Sequence, residues 1–291
     1  MCCKLNMSNE NKNTKTYKID WPKYKPLDEW LKGQPTETWK ETFEKDGYLV
    51  VHGLIDKDFV EIYKDVYMKL LNGEIDTRRH RQDLGCNEPQ KTQVENICQI
   101  MWPHLYVPSL MEGPLSERVQ AINKIIIGPD AAFDFNMLIS KAPKTETATP
   151  WHQDESYWPD MPDKRASTCW VALDQSTVDN GCMWFVPGSH KLPLRKHWPA
   201  CKGAHVLQCE CTEDEGKPEP LPPGSCTLHS GHTLHYSRGN STNGYRRAFI
   251  INYRPEAMVE WERERNFAHG KEGLDETKRD DVVIIRREVN N

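Results

Sequence analysis

The stretch WVALDQSTVDNGCMWFVPGSH, residues 170–190, decides the fold class of this chain. It contains the end of one short apolar run at 167–174 and all of a second run at 182–186, with turn-forming residues between them. Short runs bounded by glycine, proline and asparagine are typical of β-strands. Asn180-Gly181 is a tight-turn signal, which we interpret as the turn of a hairpin. The stretch therefore predicts β-structure.

The same pattern continues through the second half of the chain. Further β-rich runs lie at 133–140, 225–229 and 246–253, and glycines separate them. Several short strands at close spacing predict a sandwich or a small barrel. The acidic, proline-rich stretch ECTEDEGKPEPLPP at 210–223 predicts an exposed loop.

Helical periodicity marks the first half of the chain. The runs at 56–72 and 115–127 have apolar residues at helical spacing, and each predicts one helix. A further helix is predicted at 36–45, where Thr38 and Glu41 are spaced as in a capping box, and a short strand follows at 48–51.

No linker separates the two halves, so we predict one domain over residues 19–291. It has a helical part to about residue 130, a β core over about 131–255 and a C-terminal tail. Residues 1–18 are polar and predict a flexible leader.

Composition argues against several functional classes. The 291 residues have a formal net charge of -5, which is unlike a nucleic-acid binder. No apolar run approaches the length of a membrane span. The ten cysteines form no obvious disulfide framework, and the chain shows neither a signal peptide nor a C-terminal peroxisomal tripeptide. We therefore predict a cytoplasmic protein without a membrane partner.

The segment Pro150-Trp-His-Gln-Asp154 places a histidine and an aspartate two residues apart. On a strand, residues i and i+2 point to the same face, so His152 and Asp154 could both reach one ion. Two histidines and one carboxylate leave three coordination positions of a metal ion open. This arrangement suits Fe(II) that must bind a bidentate co-substrate and oxygen. The pair alone is a weak motif, since a bland role in strand hydrogen bonding is more common.

Candidate third ligands follow in GSCTLHSGHTLHYS, residues 224–237, which contains His229, His232 and His235. Spacing alone does not choose among them. Ser237 shares the face of His235 if the strand continues, and a returning strand would bring Arg246 or Arg247 beside it. A guanidinium binds a carboxylate with two parallel hydrogen bonds, as the far end of a buried dicarboxylate requires. Side-chain alternation does not decide which of the two arginines points inward, because both faces of the strand at 248–253 contain apolar residues.

Four stretches together resemble the phytanoyl-CoA dioxygenase family, whose relatives include ectoine hydroxylases. They are FEKDGYLVV at 43–51, the HxD segment at 150–154, residues 170–190 with their NG…PGSH pattern, and residues 224–247 with HxS and RRA. The resemblance covers most of residues 38–255. It implies a mainly β fold with flanking helices around a double-stranded β-helix (jelly-roll, cupin-like) core.

The resemblance also implies a set of site residues. The metal ligands would be His152, Asp154 and His235. The 2-oxoglutarate pocket would be formed by Arg246, which lies at the family's offset, together with Ser237, Met137, Trp170 and, by a looser match, Gln99.

The implied function is an Fe(II)- and 2-oxoglutarate-dependent dioxygenase that hydroxylates an unactivated C–H of a small organic substrate with O2, releasing succinate and CO2. Ascorbate is the expected reductant. In related halogenases a small residue replaces the acidic ligand, so Asp154 favours hydroxylation. Tyr157 and Trp158 follow this ligand and are candidate substrate contacts, with core packing as the alternative.

Other interpretations remain. Desaturation, cyclisation or halogenation could occur at the same iron, and a non-catalytic metal-binding jelly-roll module would need no Arg246. The charged insert at 191–223 is longer than the family pattern, so the resemblance does not transfer substrate identity. Its basic residues predict either a solvated face or contacts to an acidic substrate such as a CoA thioester.

Overall fold

The computed structural model describes residues 6–8, 16–85, 95–201 and 206–274 of the chain. The α-helices are α1 (Leu27–Lys32), α2 (Thr36–Asp46), α3 (Lys57–Leu71), α4 (Pro114–Ile126) and α5 (Glu256–Glu264). The strands are β1 (Asn6–Ser8), β2 (Thr16–Lys18), β3 (Tyr48–Val51), β4 (Arg81–Asp83), β5 (Ile97–Met101), β6 (Ala131–Lys141), β7 (Thr149–His152), β8 (Ser167–Ala172), β9 (Met183–Phe185), β10 (Trp198–Pro199), β11 (Leu207–Gln208), β12 (Lys217–Glu219), β13 (Cys226–His229), β14 (His235–Ser237) and β15 (Arg246–Pro255).

Two antiparallel sheets form the body of the protein. The major sheet has seven strands in the order β3-β13-β8-β15-β6-β5-β4, and the minor sheet has four in the order β12-β9-β14-β7. The pairs β1–β2 and β10–β11 lie outside these two sheets. The architecture is mainly β with flanking helices, and this part of the sequence prediction is confirmed.

The major sheet is buried on both faces. Its outer face packs against the helices, where Tyr63 of α3 shares a buried cluster with Leu228 and Phe249. The inner face packs against the minor sheet in a second cluster that includes Trp170 and Phe185. Because side chains alternate along a strand, each central strand contributes to both clusters.

The predicted helices at 36–45, 56–72 and 115–127 correspond to α2, α3 and α4, but the capping box is wrong. Helix α2 begins directly after Pro35, and its Thr38 lies inside the first turn. There the Thr38 hydroxyl donates to the carbonyl of Pro35 at 2.9 Å instead of capping an N–H. Proline has a fixed φ and no N–H to satisfy, so it suits a helix start.

The predicted hairpin at Asn180-Gly181 is also wrong. Strand β8 pairs with β13 and β15 in the major sheet, whereas β9 pairs with β12 and β14 in the minor sheet. The connection is a short 3-10 turn in which the N–H of Thr177 donates to Asn180 Oδ1 at 2.7 Å and Gly181 has a φ of 88°. The turn signal is therefore real, but the turn takes the chain from one sheet to the other.

The predicted loop at 210–223 is partly ordered as a strand. Its residues Lys217–Glu219 form β12, the edge strand of the minor sheet. The Tyr48 hydroxyl donates to Glu219 Oε1 at 2.8 Å and joins this edge to the major sheet. Pro218 fits here because an edge strand tolerates a residue without an N–H.

The DG and PGSH motifs belong to one structural contact. The N–H of Gly188 donates to the carbonyl of Asp46 at 2.8 Å. Gly47 has a φ of 80°, and a Cβ at this position would lie 2.3 Å from His190 Nδ1. Only glycine fits between the end of α2 and this turn.

The segment predicted as a tail begins with helix α5. Met258 and Trp261 of this helix pack against Trp158. Residues 275–291 lie outside the described residues, as does most of the predicted leader, in which β1 and β2 form an antiparallel pair. Within the described ranges no helix is long and apolar enough to cross a membrane.

Candidate metal and co-substrate site

Three side chains with metal-ligand chemistry meet at the inner face of the minor sheet. His152 ends β7 and His235 begins β14, and the two residues are register partners. Their Nε2 atoms lie 3.6 Å and 3.4 Å from Oδ1 of Asp154. One ligand atom from each residue lies within 4.8 Å of the others. The structure thus brings together the three residues that the sequence predicts as ligands.

Asp154 reaches the site by a different route from the predicted strand. Strand β7 ends at His152, and Asp154 opens a short 3-10 helix. The intervening Gln153 keeps an extended backbone with φ −123° and ψ 127°, so the two flanking side chains still point to one side. The buried Gln153 side chain accepts a hydrogen bond from the N–H of Arg195 at 3.0 Å. The insert at 191–223 therefore anchors the segment that carries two of the predicted ligands.

Backbone carbonyls orient both imidazoles. Nδ1 of His152 donates to the carbonyl of Pro150 at 2.7 Å, and Nδ1 of His235 donates to that of Thr233 at 2.9 Å. A ring whose Nδ1–H is committed in this way presents the Nε2 lone pair to the site. Burial lowers the pKa of His152, and the neighbouring His235 adds to this effect, so His152 is held in the neutral form that binds metals.

The Asp154 carboxylate is ionised. Burial alone would raise its pKa, but the neighbouring histidines, His235 first among them, hold the pKa well below its usual range. Thr168 Oγ1 donates to Oδ2 at 2.8 Å, and His229 Nε2 lies 3.2 Å from the same oxygen. No lysine or arginine of the described ranges forms an ion pair with it. A divalent cation would supply the missing positive charge.

The other two candidate histidines have different partners. His229 Nε2 lies beside Oδ2 of Asp154, whereas His152 and His235 lie beside Oδ1. Nδ1 of His232 lies 2.6 Å from Glu155 Oε2, and its Nε2 donates to a backbone carbonyl at 2.9 Å. Both ring nitrogens of His232 are therefore occupied, and the geometry favours His235 as the third ligand.

Side-chain alternation in the sequence does not decide whether Arg246 or Arg247 points inward, but the two side chains have different partners in the structure. Arg247 bonds Asp174 through Nε at 2.8 Å and Nη2 at 2.7 Å. Arg246 is 2 % exposed, and its Nε and Nη1 have no hydrogen-bond partner in the part of the chain that the structure describes. Its guanidinium carbon lies 5.3 Å from the ring centroid of Trp170. Burial lowers the pKa of Arg246 to about 10, so the group stays charged at neutral pH.

The remaining predicted pocket residues line the same interior. Trp170 and Met137 belong to the cluster between the two sheets. Gln99 of β5 donates through Nε2 to Met137 Sδ at 3.2 Å. Ser237 ends β14 and is buried.

Lys141 is a structural residue that the sequence analysis missed. It is the register partner of Arg246, and its Nζ donates to the carbonyl of Ser237 at 3.2 Å and to that of Arg238 at 2.6 Å. Lys141 therefore joins the strands on both sides of the predicted pocket. A lysine that closely follows the apolar run at 137–139 was the available signal.

The two candidate substrate contacts differ. The Tyr157 ring lies 5.8 Å from that of His152 in an edge-on arrangement, and its hydroxyl accepts from the N–H of Leu207 at 2.8 Å. Trp158 is buried, with the guanidinium carbon of Arg254 3.8 Å from its ring centroid. The surroundings of Trp158 favour packing, whereas Tyr157 lies beside a candidate ligand.

A second group of ligand-type residues lies where the C-terminal segment meets β6. Asp134, Glu262 and His269 also place one ligand atom each within 4.8 Å of the others. Arg254 Nε lies 2.6 Å from Asp134 Oδ2, and Arg263 bonds both Asp134 and Glu262. Two guanidinium groups thus neutralise the two carboxylates.

Comparison with known proteins identifies the family. The family model described as phytanoyl-CoA dioxygenase (PhyH) matches residues 43–248. The chain belongs to the phytanoyl-CoA dioxygenase family. The predicted resemblance is confirmed, and the protein is a non-haem iron, 2-oxoglutarate-dependent dioxygenase.

Several members and solved structures are similar to this dioxygenase. The peroxisomal phytanoyl-CoA dioxygenase of Rattus norvegicus is 22% identical over 74% of this chain and 67% of its own length. A Caenorhabditis elegans homologue of phytanoyl-CoA dioxygenase domain-containing protein 1 is 24% identical over 76% and 92%.

Among structures, EvdO2 of Micromonospora carbonacea, solved with 2-oxoglutarate, has a TM-score of 0.62 at 24% identity over 74% of this chain and 88% of that one, which shows a shared fold. The epimerase SnoN, solved with Fe3+, α-ketoglutarate and nogalamycin RO, has a TM-score of 0.60 at 26% identity over 75% and 82%.

Proposed function

We propose that this dioxygenase hydroxylates an unactivated C–H of a small organic substrate, with iron held by His152, Asp154 and His235 and 2-oxoglutarate anchored by Arg246. Two imidazoles and one carboxylate are the donor set of non-haem iron oxygenases. The observation that carries the proposal is the buried guanidinium of Arg246, whose Nε and Nη1 have no hydrogen-bond partner in the described residues. A purely structural metal site does not require such a group.

A buried charged group without hydrogen bonds is costly. Leaving a charged donor unpaired in the interior costs more than the roughly 1–3 kcal/mol of a neutral group. Arg246 has two such nitrogens, Nε and Nη1, on the same face of β15 as the interior cluster. The distal carboxylate of 2-oxoglutarate would satisfy both with two parallel charge-assisted hydrogen bonds.

The side chains of this protein act by orientation and by excluding water. Bound iron supplies the oxidising chemistry and 2-oxoglutarate supplies electrons through its decarboxylation to succinate. Arg246 and Ser237 would fix the far end of the co-substrate, and Trp170, Met137 and Gln99 would form the walls. Tyr157 is the stronger of the two proposed substrate contacts, and Trp158 is the other. No side chain is required as a general base.

Further parts of the proposal concern architecture and reductant. We infer that the two facing sheets form a double-stranded β-helix and that residues 19–291 are one oxygenase domain. The shared inner cluster and the cross-sheet bond from Tyr48 to Glu219 support this inference. Ascorbate is the proposed reductant that keeps the iron ferrous.

A second outcome at the same iron has specific support. The structural neighbours include the epimerase SnoN and the carbocyclase SnoK, so the fold also serves oxidations that do not end in hydroxylation. Asp154 still favours hydroxylation over halogenation, since an acidic ligand fills the position that a halide would need.

The test pairs Arg246→Met with Arg247→Met, two neighbouring arginines replaced by the same side chain. Anaerobic titration of the Fe(II) protein with 2-oxoglutarate is followed by the visible absorption of the chelated keto acid. We expect Arg246→Met to weaken 2-oxoglutarate binding about 10- to 100-fold, through loss of charge-assisted bonds, and Arg247→Met to leave it unchanged. Equal affinities in all three proteins would contradict the proposal.

The substrate class is found by screening carboxylic acids, acyl-CoA thioesters and free metabolites for stimulated succinate release. Mass spectrometry of the product separates the outcomes. A gain of one oxygen atom supports hydroxylation. A product that has lost two hydrogens indicates desaturation or cyclisation, an isomer of the substrate indicates epimerisation, and a halogenated product indicates halogenation. Each of these products would contradict hydroxylation.

A further inference from the structure

The Asp154 oxygen that does not face His152 and His235 is held by a polar row. Thr168 Oγ1 donates to Oδ2 at 2.8 Å, and His229 Nε2 lies 3.2 Å from the same atom. Asn252 Nδ2 donates in turn to Thr168 Oγ1 at 2.9 Å. All three side chains are at most 4 % exposed, so water does not compete for these bonds.

The row is built into the centre of the major sheet. His229 of β13 and Asn252 of β15 are both register partners of Thr168 on β8. Directly paired residues on neighbouring strands point to the same face, so the three side chains form a line across adjacent strands. Backbone ladders fix their spacing, whereas Asp154, the proposed ligand that they contact, lies on the segment after β7 of the minor sheet.

The direction of each hydrogen bond follows from the groups involved. A threonine hydroxyl has one proton to donate. Because Thr168 Oγ1 accepts from the Asn252 amide, its own proton is free to go to the carboxylate. His229 also acts as a donor through Nε2, since the ionised Asp154 can only accept. Two donors therefore converge on Oδ2 and leave Oδ1 for the ion.

We propose that Thr168, His229 and Asn252 are positioning residues that fix the rotation of the Asp154 carboxylate and thereby set the iron affinity of the site. The inference rests on the proposed ligand set. With Oδ2 held by the row, Asp154 presents a single oxygen, Oδ1, beside the two imidazole nitrogens, and these three atoms would hold the ion. Losing such an outer partner typically costs 10- to 100-fold in metal affinity.

The chain contains a matched control for Thr168. Thr227 lies on β13, two residues before His229, and is likewise fully buried. Its hydroxyl has no hydrogen-bond partner within the described residues. Thr168→Val and Thr227→Val therefore make the same chemical change in the same sheet, but only the first removes a bond to Asp154.

The experiment measures Fe(II) and Co(II) dissociation constants of the full chain under anaerobic conditions. We expect Thr168→Val to weaken both about 10- to 100-fold and Thr227→Val to leave both close to wild type. Thr168→Ser, which restores the hydroxyl, should recover most of the affinity. The absorption spectrum of bound Co(II) should change in Thr168→Val alone, because the geometry of the carboxylate changes. Thermal unfolding of the metal-free proteins separates this effect from a general loss of stability.

Equal metal affinities and equal Co(II) spectra for the two valine variants would overturn the inference. So would a His229→Gln variant that lost metal as completely as His235→Ala, since His229 would then be a ligand. Failure of the proposed function looks different: the wild type itself would bind no Fe(II), or Asp154→Ala would bind it normally. An intact wild-type site with an unaffected Thr168→Val overturns only the positioning role.

Discussion

Asp154 and Asp134 are two carboxylates in the interior of this protein, and each lies close to histidine. Around Asp154 the charged or chargeable neighbours are three imidazoles. Around Asp134 they include two guanidinium groups, a second carboxylate and a single imidazole, with His269 Nε2 3.1 Å from Oδ2. Both sites bring three donor atoms within 4.8 Å of one another.

The difference shows that proximity of donor atoms does not by itself make a metal site. At Asp134 the arginines already balance the negative charge, so an incoming cation would have to displace buried ion pairs. At Asp154 backbone carbonyls orient the imidazoles of His152 and His235, and no lysine or arginine of the described residues balances the charge of the carboxylate. The neighbouring charge therefore distinguishes the proposed iron site from a structural ion network.

The largest effect is expected from Asp154→Ala. Removing the only carboxylate of the proposed ligand set should weaken Fe(II) binding by more than the roughly 10- to 100-fold typical of outer partners and abolish succinate formation. Equilibrium metal titration with a mass-spectrometric succinate assay checks this. Normal iron binding by this variant would remove the contrast between the two clusters.

Asp134→Ala should act on stability and not on iron. It leaves the buried guanidinium of Arg254 and its neighbour Arg263 without a main partner, which typically costs about 3–5 kcal/mol in the free energy of unfolding. Urea denaturation measures the change. The control is Asp130→Ala, which removes an exposed ion pair with Arg165 and should change the stability much less, because solvent screens such a pair. Loss of iron binding in folded Asp134→Ala would contradict our interpretation of this cluster.

The ion network should also give a pH-dependent stability. Burial opposes the charge of His269, but Asp134 and Glu262 outweigh it and raise the pKa of His269 above its ordinary value of 6.5. A raised pKa means that this stabilisation is fully present below the ordinary pKa and is lost as the pH rises through the raised value. The difference in unfolding free energy between wild type and His269→Gln should therefore shrink with increasing pH. A difference that grows with pH would show that His269 is neutral in the folded protein.

The smallest effect on iron is expected from His232→Ala. This histidine bonds Glu155 and a backbone carbonyl, and neither contact includes a proposed ligand atom. Iron affinity should remain largely intact in a metal titration. If His232→Ala alone removed iron, our assignment of the third ligand would be wrong.

Local sequence patterns predicted much of the secondary structure. The runs at 48–51, 133–140, 167–174, 182–186, 225–229 and 246–253 correspond to β3, β6, β8, β9, β13 and β15, and three periodic segments correspond to helices. Outside the leader, no β-rich run marked β4, β5, β10, β11 or β12, strands β7 and β14 were only assumed for the segments that contain the histidines, and α1 and α5 were missed. Strands of three or four residues are too short for a recognisable alternation, and Pro218 conceals an edge strand.

The sequence by itself determined the donor chemistry of the site. The spacing of His152 and Asp154 places both side chains on one side of an extended segment, and three later histidines limit the choice of the remaining ligand. The sequence also predicted the order of helices followed by strands and the turn at Gly181, because each depends on the conformation of a few neighbouring residues.

Only the tertiary structure decided how these pieces combine. It assigned β8 and β9 to different sheets, turned Arg246 inward and Arg247 toward Asp174, and aligned Thr168 beneath Asp154. Side-chain alternation fixes which residues share a face, but pairing between distant segments decides which face is interior. Since helices cover one face of the major sheet and the minor sheet covers the other, both faces of β15 are apolar, and no local pattern could identify the side that holds the site.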